Sequence, residues 1–220
     1  MFRFLGSVSL LVAALMVASV AQANPPSGHR DALLIGNAKY NDFQLPGVAK
    51  SLDEIERSLV ARGFAITRHE NLNKDDLKNA VEDFAAGVPT GGVAVVYYAG
   101  LGAHVERLGK WYNLLRPVDQ KIESDNEYRD AGLNLEEDLL ESLTEVSGAN
   151  RSLVFLDACW ESPILPEKGS VHGGLRAFET GEDVFVMFGA DSEKIMAPSD
   201  SDAASPLAKL ISKHLAAFDV

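Results

Sequence analysis

The chain has 220 residues, 46% of them hydrophobic and 24% charged, with 32 acidic against 20 basic side chains and a formal net charge of −12. That balance argues against nucleic acid or an anionic membrane surface as partner and is compatible with a basic ligand. The single cysteine, Cys159, rules out an internal disulfide and leaves a thiol that is buried, reactive or paired with another chain.

The elements begin with a targeting segment. Arg3, the apolar run Phe4 to Val20 and the A-x-A site Ala21-Gln22-Ala23 have the pattern of a secretory signal peptide. Residues 1–23 are therefore expected to be removed, giving an exported protein, periplasmic or secreted, with no membrane attachment. Loss of Arg3 takes the net charge from −12 to −13. Residues 24–30 read as a short linker, and residues 31–220 as one domain long enough for a sizeable core.

From there the chain alternates. Ala32 to Gly36 is a short apolar strand. Val48, Leu52, Ile55 and Leu59 mark one helical face, closed by Arg62-Gly63. Phe64 to Thr67 is the next strand. Asn73 caps a helix whose apolar face is Leu77, Val81 and Phe84. Val93 to Tyr98 is a strand, with Tyr97 and Tyr98 read as sheet and core residues. Trp111 to Leu115 is a further short strand, stopped by Pro117. Asn134 and Glu137 form a variant capping box before Leu139, Leu140 and Leu143. Ser152 to Leu156 and Val184 to Phe188 are strands. Ser205 caps and Pro206 opens a last helix, with Leu207, Leu210, Ile211, Leu215 and Phe218 inside. Residues 119–132 and 161–174 read as polar loops. Strands separated by helical crossovers imply an α/β fold, a mostly parallel sheet covered on both faces.

Two segments carry the chemistry. Val95-Val96-Tyr97-Tyr98-Ala99-Gly100-Leu101-Gly102 and Leu153-Val154-Phe155-Leu156-Asp157-Ala158-Cys159-Trp160 each run from a buried strand into a small-residue turn. Reactive groups of open α/β sheets sit at such carboxyl ends. The first segment resembles Tyr-Tyr-Ser/Ala-Gly-His-Gly, and the second Asp-Ala/Ser-Cys, of the caspase–metacaspase clan of cysteine peptidases. Ala32-Leu33-Leu34-Ile35-Gly36-Asn37 through Tyr40, Leu45-Pro46, Gly63-Phe64, Trp111 to Asp119, Gly189-Ala190-Asp191 and Ser205-Pro206-Leu207 resemble further parts of the family pattern in the same order, the last of them in its bacterial members.

The resemblance implies a caspase-like three-layer sandwich, a mostly parallel six-stranded sheet with helices on both faces. It implies peptide-bond hydrolysis by a Cys–His dyad, with Cys159 at the nucleophile position. Asp157 matches an acid of the pocket by which metacaspases take Arg or Lys before the cut. Gly102 matches the glycine whose N–H helps bind the oxyanion, and Trp160 stands where the family often has a polar residue, either walling the pocket or simply packing. Calcium activation occurs in some metacaspases and is implied by resemblance only. The sequence has no zinc-ligand spacing, and no cofactor or metal is expected.

The departure is Leu101, at the position of the family's histidine. An ordinary thiol, with a pKa of about 8.5, is only a few per cent thiolate at neutral pH. The missing histidine would promote the thiolate and protonate the leaving amine, work of roughly 10²–10⁴ in rate. The expectation is a catalytically impaired pseudo-peptidase that binds a peptide or protein, with the acidic balance favouring a basic one. Two alternatives stay open. One is an active cysteine endopeptidase in which His104, expected at the cleft rim, or His172 serves as base. The other is Cys159 as an exposed redox or intermolecular thiol.

Overall fold

The computed structural model describes residues 28–41, 44–120, 132–158, 171–189 and 202–217. In chain order these form β1 (Arg30–Gly36), α1 (Val48–Val60), β2 (Ala65–Glu70), α2 (Lys74–Gly87), β3 (Gly92–Ala99), β4 (Gly102–Arg107), β5 (Lys110–Leu115) and β6 (Leu133–Asn134). There follow α3, a wide-wound segment comprising Leu135–Leu140 and Ser142–Val146, then β7 (Ala149–Asp157), β8 (Val171–Gly173), β9 (Val184–Phe188) and α4 (Pro206–Ala217). The signal peptide read at 1–23, the pair Cys159 and Trp160, and most of the two polar loops lie outside the described residues.

α2, α3 and α4 start where the sequence provides a capping side chain, whereas α1 starts after Gly47 without one. The Asn73 side chain accepts from the Asp76 N–H at 2.8 Å, with Asp75 and Asp76 in the first turn of α2. Asn134 accepts from the N–H groups of Glu136 and Glu137 at the start of α3. The return bond expected from Glu137 comes instead from Asp138, whose carboxylate accepts from the Asn134 N–H at 2.8 Å. The π-type winding of α3 moves the residue facing the cap one position along. At α4 the Ser205 hydroxyl accepts from the Ala208 N–H at 2.9 Å. Leu207, Ala208 and Ile211 are buried, whereas Leu210, expected inside, is 48% exposed. It lies roughly 100° around the axis from Ile211, off the face that meets the sheet.

Among the described residues five strands, all parallel, form the central sheet in the order β2-β1-β3-β7-β9, one fewer than the six expected. The chain leaves β1 towards one edge and β3 towards the other, so the order reverses between β1 and β3. Alternation along β3 sends Val95, Tyr97 and Ala99 to the face covered by α1 and α4, and Ala94, Val96 and Tyr98 to the face covered by α2 and α3. Both faces are dry, which is why these strands read as unbroken apolar runs.

Trp111–Leu115, read as a further short strand, belongs to a second, antiparallel sheet in the order β6-β5-β4-β8. Its core is the β4–β5 hairpin, closed by Leu108 (φ 53°) and Gly109 (φ 77°). Two left-handed residues in succession make the turn type whose twist suits a tight hairpin. Because β4 starts three residues after β3 ends, this small sheet stands at the carboxyl end of the large one.

Candidate active site

The turn between β3 and β4 is fixed by a set of tyrosines and backbone groups. The Leu101 N–H donates to the Tyr40 hydroxyl at 2.8 Å. The Tyr98 hydroxyl reaches the carbonyls of Leu101 (2.9 Å) and Arg116 (3.0 Å). The Gly100 N–H donates to the Asp157 carbonyl at 3.2 Å, so the turn is tied to the end of β7. A Cβ on Gly100 would lie 2.7 Å from both tyrosine hydroxyls. Glycine is required there by space. Leu101 itself is 1% exposed and packs with Tyr40, Ala103, Val105 and Leu114. The Leu101 side chain is thus enclosed in an apolar cluster.

Strand alternation places Gly102 and His104 on the opposite face from Leu101, Ala103 and Val105. A Cβ on Gly102 would come within 3.1 Å of the Ala158 Cβ and 2.9 Å of Leu175. Gly102 therefore lies against the residue that precedes Cys159. The Arg116 N–H bonds the Leu101 carbonyl at 2.9 Å, which makes Gly102 and Leu115 the next, non-bonded pair of the ladder. The Gly102 N–H is consequently turned away from β5.

His104, expected at a rim, is only 4% exposed. Its ring packs on Trp111 with centroids 5.2 Å apart. Its Nδ1 lies 3.0 Å from the Gly174 carbonyl, which can only accept, so Nδ1 carries the proton. Asn113, opposite His104 on β5, holds the same segment: its side chain accepts from the Arg176 N–H (2.7 Å) and donates to the Arg176 carbonyl (3.0 Å). The burial of His104 follows from β4 being a strand covered on this face by Gly174–Arg176. His172 is the cross-strand neighbour of His104 in the backbone register of β8.

Asp157 ends β7 beside Ala99. Its Oδ2 accepts from the Tyr97 hydroxyl at 2.5 Å and from the Ser205 hydroxyl. Ser205 in turn receives the Ala208 N–H, and its own N–H donates to the Ser51 hydroxyl at 2.9 Å. Burial pushes the Asp157 carboxyl above its usual range, against the downward pull of the two hydroxyls. Burial and the neighbouring carboxylate hold the Tyr97 phenol well above its ordinary value, so it stays a neutral donor. Behind Asn113, the carboxylate of Glu136 accepts from the Asn113 side chain at 2.7 Å, and burial raises its pKa also.

The structure thus brings Leu101, Gly102, Ala158 and Asp157 together at the carboxyl ends of β3 and β7. His104 is set on β4 behind the Gly174–Arg176 segment. Cys159 and Trp160 lie outside the described residues. The polar partners that sequence reading missed are Tyr97, Ser205 and Asn113. Only register reveals the first: Tyr97 is diagonal to Asp157 across β3 and β7, over the small Ala99. Among the described residues no group of three His, Cys, Asp or Glu is placed to hold a metal ion. No described helix is long and apolar enough to cross a membrane.

A family model described as the caspase domain matches residues 29–218. No curated protein matches the chain. Among solved structures, the chain is similar to protein GSU0716 from Geobacter sulfurreducens, with 18% identity and a TM-score of 0.47, covering 59% of this chain and 50% of that one. It is also similar to pro-sf-caspase-1, with 15% identity and a TM-score of 0.45, covering 73% of this chain and 61% of that one. The chain therefore spans between half and three fifths of the length of these structures. With the family model matched from before β1 to beyond α4, the protein belongs to the caspase domain family.

Proposed function

We propose that this protein is an exported caspase-like pseudo-peptidase of bacterial type, which binds a peptide or protein ligand through a basic side chain. The observation that carries this reading is Leu101. The family's histidine position is occupied by a side chain that holds no proton and is enclosed by Tyr40, Ala103, Val105 and Leu114. Without the family's histidine, the Cys159 thiol lacks both its activator and the acid for the leaving amine. The binding half of the site is retained. Asp157 supplies a carboxylate at the end of β7, and the Gly102 N–H, turned away from β5, is free of the hairpin ladder.

A second reading, an active endopeptidase, has one observation in its favour. With its proton on Nδ1, a neutral His104 has a lone pair on Nε2. Against it stand the burial of that ring and its use in holding Gly174.

The test is turnover of a fluorogenic peptide ending in Arg, with and without calcium, beside a Cys159→Ala control. The expected result is no Cys159-dependent cleavage, with binding of the same peptide retained. Cys159-dependent turnover that disappears in His104→Ala would replace the pseudo-peptidase reading by the second. Export is checked by fractionating cells that express the full chain, with a mature N-terminus at Asn24 expected.

A further inference from the structure

The two sides of the main sheet carry surfaces of opposite charge. On one side, α4 buries Leu207, Ala208 and Ile211 together with α1. Its outward face carries Lys209, Leu210 and Lys213, all exposed. Neither lysine forms an ion pair among the described residues. In a chain of net charge −12 this is a basic strip around a protruding leucine. On the other side of the sheet, a groove of about 460 Å³ runs between α3 and the segment leading into β9. Leu140, Phe178 and Val184 give it an apolar lining that continues into the core of that face. Glu141, Glu145 and Glu179 stand exposed beside this lining. None of the three forms an ion pair among the described residues.

We propose that α4 of one copy docks into the α3 groove of a second copy of this chain. Leu210 enters the apolar lining, while Lys209 and Lys213 meet the carboxylates of Glu141, Glu145 and Glu179. The spacings agree. Lys209 and Lys213 are four residues apart, as are Glu141 and Glu145, about one turn in each helix. Two copies of so acidic a chain repel one another except where a basic strip meets an acidic one, so charge selects this pairing of surfaces. The strip and the groove lie on opposite sides of the same sheet and cannot meet within one chain. The contact is therefore heterologous: it repeats head to tail and builds a ring or an open row of copies. Neither surface includes Asp157 or Gly102, so the contact stands or falls apart from the proposed peptide binding.

The test is sedimentation velocity over a concentration series, on protein purified from cells that express the full chain. At about 0.15 M salt the long-range repulsion is screened beyond a Debye length of about 8 Å, while contact pairs persist. The average mass is expected to rise past two copies with concentration, and to fall back in about 1 M salt. Lys209→Glu with Lys213→Glu sets like charges against the groove and should weaken association by about tenfold or more. Glu141→Lys with Glu145→Lys should do the same from the other surface. Mixed in equal amounts, the two variants offer each other opposite charges at both contacts, and association is expected to return. Leu210→Gln should weaken it by about tenfold through the lost apolar contact alone. All five side chains are exposed, and circular dichroism checks that the variants fold. Should a reversal not fold, Lys209→Gln with Lys213→Gln, expected to weaken association several-fold, takes its place. A single copy at every concentration leaves the groove to some other partner and overturns the proposal. So does a mass that levels off at two copies, association unchanged in either folded pair of variants, or a mixture that stays apart.

Discussion

Gly100 shows how tightly single atoms are specified around the turn. Any side chain there would press on the hydroxyls of Tyr40 and Tyr98, both fully buried. Gly100→Ala is expected to cost about 1–3 kcal/mol as an overpacking change, read from urea unfolding. In a Tyr98→Phe background, which removes one of the two obstructing oxygens, the same substitution should cost less; equal costs would show that the clash is relieved elsewhere. Leu101 makes the opposite case. It fills the cluster of Tyr40, Ala103, Val105 and Leu114, and Leu101→Ala leaves a cavity worth about 2–5 kcal/mol. A residue whose truncation is that costly contributes to the fold through packing, whatever its position means for catalysis. The same urea series checks it, and a loss under 1 kcal/mol would contradict so enclosed a placement.

At the scale of elements, the antiparallel sheet is the part the sequence concealed. The parallel strands announce themselves because both of their faces are buried, and the helices because Val48, Leu52, Ile55 and Leu59, or Leu77, Val81 and Phe84, repeat at helical spacing. β4 offers no such signal. Its inner side chains Ala103 and Val105 alternate with Gly102, His104 and Glu106, and its turn is Leu-Gly in place of the Asn-Gly or Asp-Gly that marks a hairpin. The positions at Asp157 and Gly102 were legible from motif order, since they sit where strands end. The pair of hydroxyl donors to Asp157 was not, because Ser205 is 48 residues away and its approach depends on how α4 packs. The unexpected turn also yields a prediction. Leu108 takes a left-handed conformation and is 98% exposed, so it is strained and packs on nothing. Leu108→Asn suits that backbone and should stabilise the protein by about 1 kcal/mol. For a domain of this size the melting temperature is expected to rise by about 2–4 °C, measured by calorimetry. An unchanged melting temperature would show that the hairpin turn is not limiting.

The molecule as a whole sets buried acid against a strongly acidic surface. Asp157 and Glu136 are each raised above the ordinary carboxyl range by burial, in different parts of the second-sheet and main-sheet junction. For an acid whose pKa is higher folded than unfolded, the native state binds more protons between the two values, so stability falls as pH rises through that window. Ionising either carboxyl in the folded protein carries a desolvation cost, and acidification regains that stability until the ordinary range of about 3.9–4.3 is reached. Relief of the net charge of −12 acts in the same direction. Melting temperature is therefore expected to climb as the pH is lowered from 7 into the mildly acidic range. The two contributions separate by mutation. Asp157→Asn and Glu136→Gln remove one buried titration each and barely alter the surface, so each should flatten the climb, and the pair should flatten it further because the sites share no partner. Added salt screens the surface term and leaves the buried one. If the slope survives both substitutions and disappears in salt, the buried carboxylates are not its source, and the acid dependence belongs to the surface charge alone.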